Sequence, residues 1–177
     1  KYTMRTRTLS LPLIAAVTVV FMALSAFAAP KAKAEPKVGA IRVLFLGHES
    51  EHHNSNKFYP MLAKGLGRDA IYFDYVTSVE EALGDAAYLN KFDALLLYAN
   101  HGKITPGKWK NLKDYVEAGG GFVPVHCASW CFGNEPGFDQ LVGGRFASHK
   151  TGTFTAKVVD PKHPAMAGVK EFEAWDE

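Results

Sequence analysis

The chain has 177 residues, of which 47% are hydrophobic, and this is enough for one domain with a substantial core. Its formal net charge of +2 falls to −1 when the basic residues of the first 28 positions, Lys1, Arg5 and Arg7, are set aside. The rest of the chain therefore lacks the basic surplus of a nucleic-acid-binding protein, and we expect no nucleic acid partner.

The beginning of the chain has the pattern of a secretory signal peptide. Arg5 and Arg7 precede an apolar run over residues 9–27, and the motif Ala-Phe-Ala occupies residues 26–28. A basic head, a short apolar run and a small-x-small motif are typical of a cleaved signal, and a membrane anchor is the alternative. We predict a signal peptide over residues 1–28 and a linker over 29–39. The mature protein would then be periplasmic or secreted, with no stable membrane span.

Strands and helices alternate in the predictions that follow. Runs rich in β-branched and apolar residues predict strands over residues 41–46, 70–76, 92–98 and 122–126, and helical patterns predict helices over 57–66, 78–89 and 105–118. Strict alternation predicts a parallel sheet with right-handed crossovers. Shorter, glycine-punctuated runs over 139–146 and 152–159 predict a β-rich extension or an antiparallel edge. The chain is then expected to stop without a closing strand or helix, as a truncated domain would.

Polar residues follow three of the predicted strands. The first strand leads to His48, His52 and His53, the third to Asn100 and His101, and the fourth to His126, Cys127 and Ser129. Because the carboxyl ends of parallel strands meet at one edge of the sheet, ligands bind there. We therefore expect four or five of the seven histidines at one candidate site.

Cys127 is a candidate nucleophile at the turn after the fourth strand. A sharp turn into a helix can lower a thiol pKa and supply backbone N–H groups to an oxyanion. His126 is adjacent in a strand and points to the other face, so His101 or His52 would be the better base. The alternative is that Cys127 is a small buried residue. A disulfide to Cys131 would need distorted geometry, and we do not assume one.

Imidazole and carboxylate groups for a divalent metal are present without a specific spacing motif. The candidate ligands are His52, His53, His149 and Glu177. His163 is a candidate substrate contact, and a turn residue whose ring caps a backbone group is the alternative. Trp130 is a candidate for stacking on a sugar face, with core packing as its alternative.

Taken together, these segments resemble the ThuA-like family, named for a trehalose-utilisation protein. The matching blocks are residues 43–48, 119–126, 143–149 and 160–177, within a resemblance that covers about residues 40–177. The resemblance implies an α/β fold with a flavodoxin-like parallel sheet and helices on both faces, similar to class I glutamine amidotransferases. It places Cys127 near the amidotransferase nucleophile. That pattern has Gly on either side of the Cys, whereas His126 and Ala128 flank it here, so glutaminase activity is not carried over.

The resemblance also implies a role in carbohydrate utilisation, of the trehalose or keto-disaccharide type. Our first hypothesis is a hydrolase or lyase that acts on a small carbohydrate, with a divalent metal as the candidate cofactor. Its catalytic residues would be His126, Cys127 and His101, and its substrate contacts would be His48, Asn100, Ser129, Trp130 and His163. The alternatives are a non-catalytic binding module of a larger secreted protein and a Cys-based amidohydrolase. Fusion to further domains and a homo-oligomer are both left open.

Overall fold

The structure is a computed structural model that describes residues 39–176. The predicted signal peptide and nearly all of the predicted linker lie outside the described residues, and so does Glu177. Within residues 39–176, no helix has the length and apolar character needed to cross a membrane.

Four parallel strands form the main sheet, in the order β2-β1-β3-β4. The strands are β1 (Ile41–Leu46), β2 (Ile71–Val76), β3 (Ala94–Leu97) and β4 (Gly121–Pro124). The helices that connect them are α1 (Ser55–Leu66), α2 (Val79–Leu83), α3 (Ala86–Leu89) and α4 (Pro106–Glu117). The predicted alternation and parallel sheet are confirmed.

The predicted helix over residues 78–89 is divided into α2 and α3. Ser78 caps α2 by accepting a hydrogen bond from the N–H of Glu81 at 3.1 Å. The backbone then becomes extended at Asp85, whose carboxylate accepts from the N–H of Ala87 at 2.8 Å and starts α3. A second capping residue inside the pattern is thus the physical reason for two short helices.

Helices cover both faces of the sheet, as predicted. Alternate residues of a strand point to opposite faces. Leu44 and Leu46 of β1 belong to the buried cluster that α2, α3 and α4 share. Phe45 points the other way, and its ring meets that of Tyr59 on α1 edge to face, with centroids 5.9 Å apart. The strand β1 is therefore the centre of the core, and its carboxyl end leads into the candidate site.

The chain beyond the main sheet forms a helix and a second, separate sheet. The helix is α5 (Pro136–Val142), and the sheet is an antiparallel pair of β5 (Gly152–Ala156) and β6 (Phe172–Asp176). The predicted β-rich extension is confirmed for the later part of this region. It is wrong for residues 139–146, because Glu135 caps a helix there and Gly143, with φ 91°, ends it.

The end of the described chain also differs from the prediction. We expected no closing element, but β6 reaches Asp176, which pairs with Gly152. The pair β5–β6 is not an edge of the main sheet. A strand of five residues with one exposed face offers too short an alternation to be recognised from sequence.

Candidate functional site

A cleft of about 590 Å³ lies at the carboxyl edge of the parallel sheet. Its walls come from the loops that follow β1, β3 and β4, from the segment after α5, and from β6. The lining residues are His52, His53, Asn100, His126, Cys127, Ser129, Trp130, Phe146, His149 and Asp176. A concave site at this edge, with polar groups that converge from several loops, is the candidate functional site.

The structure brings eight of the predicted site residues into this cleft and adds two that the sequence analysis missed, Phe146 and Asp176. Phe146 follows Gly143, Gly144 and Arg145 in a block that matches the ThuA-like family, which was the one available signal for it. Asp176 is adjacent to Glu177, the predicted ligand. Its place in the cleft depends on the pairing of β6 with β5, which we did not predict.

His126 occupies the bend after β4. Its backbone φ is 50°, in the left-handed region, and the following residues form a short 3₁₀ turn, His126–Trp130. This conformation costs a non-glycine residue about 1 kcal/mol, and such strain is found at functional sites where the surrounding structure holds it. The side chain presented at the sharp bend is therefore that of His126, with Cys127 one position later.

Two further side chains surround the ring of His126. His53, from the loop after β1, is also left-handed with φ 54°, and the two rings meet edge to face with centroids 4.6 Å apart. On β6, Oδ1 of Asp176 lies 3.8 Å from Nε2 of His126. A proton taken up by His126 would thus have a carboxylate partner within ion-pair distance.

The cysteine thiols are not activated. Cys127 is 8% exposed, and burial raises the pKa of its thiol to about 11. Cys131 is fully buried, donates its S–H to the carbonyl of Ala99 at 3.0 Å, and has its pKa raised by burial to about 12. Both cysteines are free. Because the thiolate is the nucleophile, these pKa values favour the alternative that Cys127 is a buried structural residue.

His48 and His101 are not among the residues that line the cleft. Both ring nitrogens of His48 have hydrogen-bond partners, and Nε2 of His101 donates to the carbonyl of Gly47 at 2.9 Å. Burial lowers the pKa of His101, and the nearby His48 lowers it further, while the bond to Gly47 opposes the shift. The predicted substrate contact by His48 and the predicted catalytic role of His101 are not placed in this cleft and stay predictions.

His163 is also outside the cleft. It lies in the turn between β5 and β6, where its Nδ1 accepts a hydrogen bond from the N–H of Ala165 at 3.2 Å. This arrangement is the alternative that we gave for it, a turn residue whose ring caps a backbone group. His163 therefore does not line this cleft, where its predicted substrate contact would have to be made.

The predicted metal ligands His52, His53 and His149 line the cleft. Within residues 39–176, however, no group of three or more His, Cys, Asp or Glu side chains is arranged to hold a metal ion. The donors in this part of the chain do not fit a metal centre. The full predicted ligand set includes Glu177, outside the described residues, and it stays a prediction.

Arg145 fastens the segment after α5 to the bend after β4. Its guanidinium donates to the carbonyls of Trp130 at 3.0 Å and Cys131 at 3.2 Å. The N–H of Phe146 donates to the carbonyl of Ser129 at 3.1 Å. These bonds join the two segments that carry the aromatic residues of the cleft. Trp130 is 45% exposed and Phe146 is 42% exposed.

Residues 42–177, which supply every lining residue of the cleft, match the ThuA family, described as trehalose utilisation. The chain belongs to the ThuA family. The resemblance seen in the sequence is confirmed, and the ThuA-family region contains both sheets. A comparison with curated proteins found no match.

Two solved structures of ThuA-like proteins are similar to this ThuA-family chain. The protein from Bacteroides uniformis is 20% identical with a TM-score of 0.62, and the match covers 82% of this chain and 62% of that one. The protein from Parabacteroides merdae is 15% identical with a TM-score of 0.59, over 76% of this chain and 60% of that one. The chain thus spans less than two thirds of the length of either protein. At these identities the likeness shows the fold, and the predicted α/β class is confirmed.

Proposed function

We propose that this ThuA-family chain binds a carbohydrate of the trehalose or keto-disaccharide type in the cleft and acts on it by proton transfer. The observation that carries the proposal is the pairing of His126 with Asp176, 3.8 Å apart in a cleft that also exposes Trp130. A histidine is the usual acid–base group near neutral pH, and a carboxylate partner stabilises its protonated form during the reaction.

The lining of the cleft supports a neutral sugar as the ligand. Trp130 and Phe146 offer exposed aromatic faces, which suit the C–H faces of a sugar ring. Asn100 and Ser129 offer hydrogen-bonding groups for hydroxyls. Among the lining residues that the structure describes there is no Lys or Arg, the side chains that bind phosphate. An uncharged sugar therefore fits better than a phosphorylated one.

A keto-disaccharide would let this site work as a lyase. The ring of His126 would remove the proton from the carbon between the carbonyl and the glycosidic carbon; the C–H electron pair would form a C=C bond, and the π pair of the carbonyl would move to its oxygen. As the carbonyl re-forms, the C–O bond to the second sugar breaks, and the protonated His126 returns the proton to the departing oxygen. The products are an unsaturated keto sugar and a free sugar, and later addition of water gives net hydrolysis. The step needs no oxidant.

The experiment that tests this proposal is an NMR assay of the full chain with trehalose and with a 3-keto-disaccharide, each with and without a chelator. We expect cleavage of the keto-disaccharide in both arms, because the described donors do not fit a metal centre. Cleavage that the chelator abolishes would instead support the metal-assisted hypothesis. If the folded protein bound the sugar without cleaving it, the proposal of an enzyme would be refuted, and the hypothesis of a non-catalytic binding module would remain.

A further inference from the structure

His48 has an unusual position at the end of β1. It is 5% exposed and does not line the cleft, but its ring contacts two residues that do, His53 and Asn100. Its backbone N–H donates to the hydroxyl of Ser55 at 2.9 Å, and that hydroxyl donates to the backbone carbonyl of His48 at 3.0 Å. Ser55 is itself fully buried at the start of α1. The backbone of His48 is therefore held on both sides, and its ring has a fixed direction.

The ring of His48 joins two different loops of the cleft. Nε2 lies 2.9 Å from the carbonyl oxygen of His53, and Nδ1 lies 2.8 Å from the side-chain oxygen, Oδ1, of Asn100. A backbone carbonyl only accepts, so Nε2 carries the proton. In a neutral ring Nδ1 is then an acceptor, and it needs the N–H₂ group of Asn100 as its donor. The amide oxygen and nitrogen exchange places by a half-turn, so this orientation fits the same heavy-atom positions.

We infer that His48 is a positioning residue, whose ring, with its proton on Nε2, holds the left-handed turn at His53 and turns the amide oxygen of Asn100 toward the ligand. The hydrogen bond to the carbonyl stabilises a backbone conformation, φ 54°, that a non-glycine residue rarely adopts. The bond to Asn100 uses its N–H₂ group, so the oxygen is left to accept a hydrogen bond from a hydroxyl.

One buried ring thereby aligns two lining side chains. The ring of His53 meets that of His126, with centroids 4.6 Å apart, so a change in its backbone turn would reach the proposed acid–base group. Asn100 would select a hydroxyl hydrogen at one point of the sugar. The role of Asn100 in binding the sugar rests on the proposed function. The hold of His48 on the turn at His53 does not.

The first test needs no sugar. Ring-nitrogen NMR of the full chain, labelled with ¹⁵N-histidine, reports which nitrogens of each imidazole carry protons, and His48→Asn assigns the signal. We expect a slowly exchanging proton on Nε2 of His48 and none on Nδ1. A proton on Nδ1, alone or together with one on Nε2, would overturn the inference, because Asn100 would then face His48 with its oxygen.

A pair of variants separates the two hydrogen bonds. The amide of Gln reaches the position of Nε2, whereas the shorter amide of Asn reaches only that of Nδ1. His48→Gln should preserve the ring signals of His53 and His126 and weaken sugar binding roughly fivefold to tenfold through loss of the bond to Asn100. His48→Asn should shift those ring signals. His163→Gln, in the turn between β5 and β6, is the matched control and should do neither.

The outcomes distinguish this inference from the proposed function. Equal effects of His48→Gln and His48→Asn on both measurements would show that His48 acts by packing alone, and would overturn its positioning role. If both variants fail to fold, the His48 signal is assigned by difference from variants of the other histidines, and the ring spectrum of the wild type then decides. If the wild type binds none of the sugars, the proposed function fails, while the spectrum still tests the hold on His53.

Discussion

Nε2 of His126 lies 3.8 Å from Oδ1 of Asp176, so the bend after β4 and the end of β6 meet in one cleft. The first residue belongs to the edge of the parallel sheet and the second to the separate antiparallel pair. The cleft is therefore built by both parts of the domain. A carboxylate at this distance from the strained histidine suits the proton transfer that we propose for it.

Asp176→Asn should lower kcat for a keto-disaccharide about tenfold and leave KM nearly unchanged, since the carboxylate stabilises a charge that exists only during the reaction. Steady-state kinetics at several substrate concentrations would measure the split. The matched control is Glu173→Gln, on the same strand and exposed. The same loss in both variants would indicate a general effect of charge on β6.

Cys127 should react slowly with a thiol reagent such as iodoacetamide at neutral pH. Its pKa of about 11, against an ordinary 9.0, means roughly a hundredfold less thiolate than in an unfolded chain. The labelling rate should keep rising with pH well above 9.0. Cys127→Ala should retain turnover. Rapid labelling of the folded protein, with loss of activity, would restore the nucleophile hypothesis.

The protein should become less stable as the pH falls below about 6.5, in part because of His101. Burial lowers the pKa of this ring in the folded state, so the unfolded state binds the proton more readily. The stability that His101 contributes is present above its unfolded pKa and is lost as the pH falls through its folded pKa. Urea unfolding at pH 7.5, 6.5 and 5.5 would measure the slope. His101→Gln should flatten it, and an unchanged slope would contradict the assignment.

Gly47→Ala should destabilise the fold by about 2 kcal/mol, because its Cβ would overlap Oγ of Ser55 and lie 2.6 Å from the hydroxyl of Tyr75. Ser55 holds the backbone of His48, so the variant should also disturb the hydrogen bonds of His48 to His53 and Asn100. Gly65→Ala on α1 is the control, since its Cβ would meet nothing within 4 Å. It should stabilise the helix by about 0.5–1 kcal/mol. Urea unfolding would compare the two, and equal free energies of unfolding would contradict this packing.

Trp130→Ala should weaken sugar binding about tenfold, through loss of its exposed face in the cleft. Trp175→Ala is the control, because Trp175 is also exposed but does not line the cleft. Titration calorimetry with trehalose and a keto-disaccharide would give both affinities. If the two variants bound sugar equally well, the aromatic face of Trp130 would not be part of the binding site.

The main sheet and the gathering of histidines at its edge could be predicted, because strand ends and polar loops are local features of the sequence. The burial of His48 could not, since it depends on Ser55 and Asn100, which come from two other segments. Asp176 was missed for a similar reason: its place in the cleft depends on the pairing of β6 with β5. The left-handed bend at His126 could not be predicted either, because this conformation is uncommon even for histidine, which adopts it more often than most non-glycine residues.

The measurement that tests the central claim most directly is the uptake of deuterium from solvent at the carbon beside the carbonyl of a 3-keto-disaccharide. The wild type, His126→Gln and the control His163→Gln would be compared by NMR, with the fold of each checked by circular dichroism. We predict uptake or cleavage by the wild type and the control, and a loss of about a hundredfold or more in His126→Gln. Equal rates in folded wild type and His126→Gln would contradict the assignment of His126 as the acid–base group.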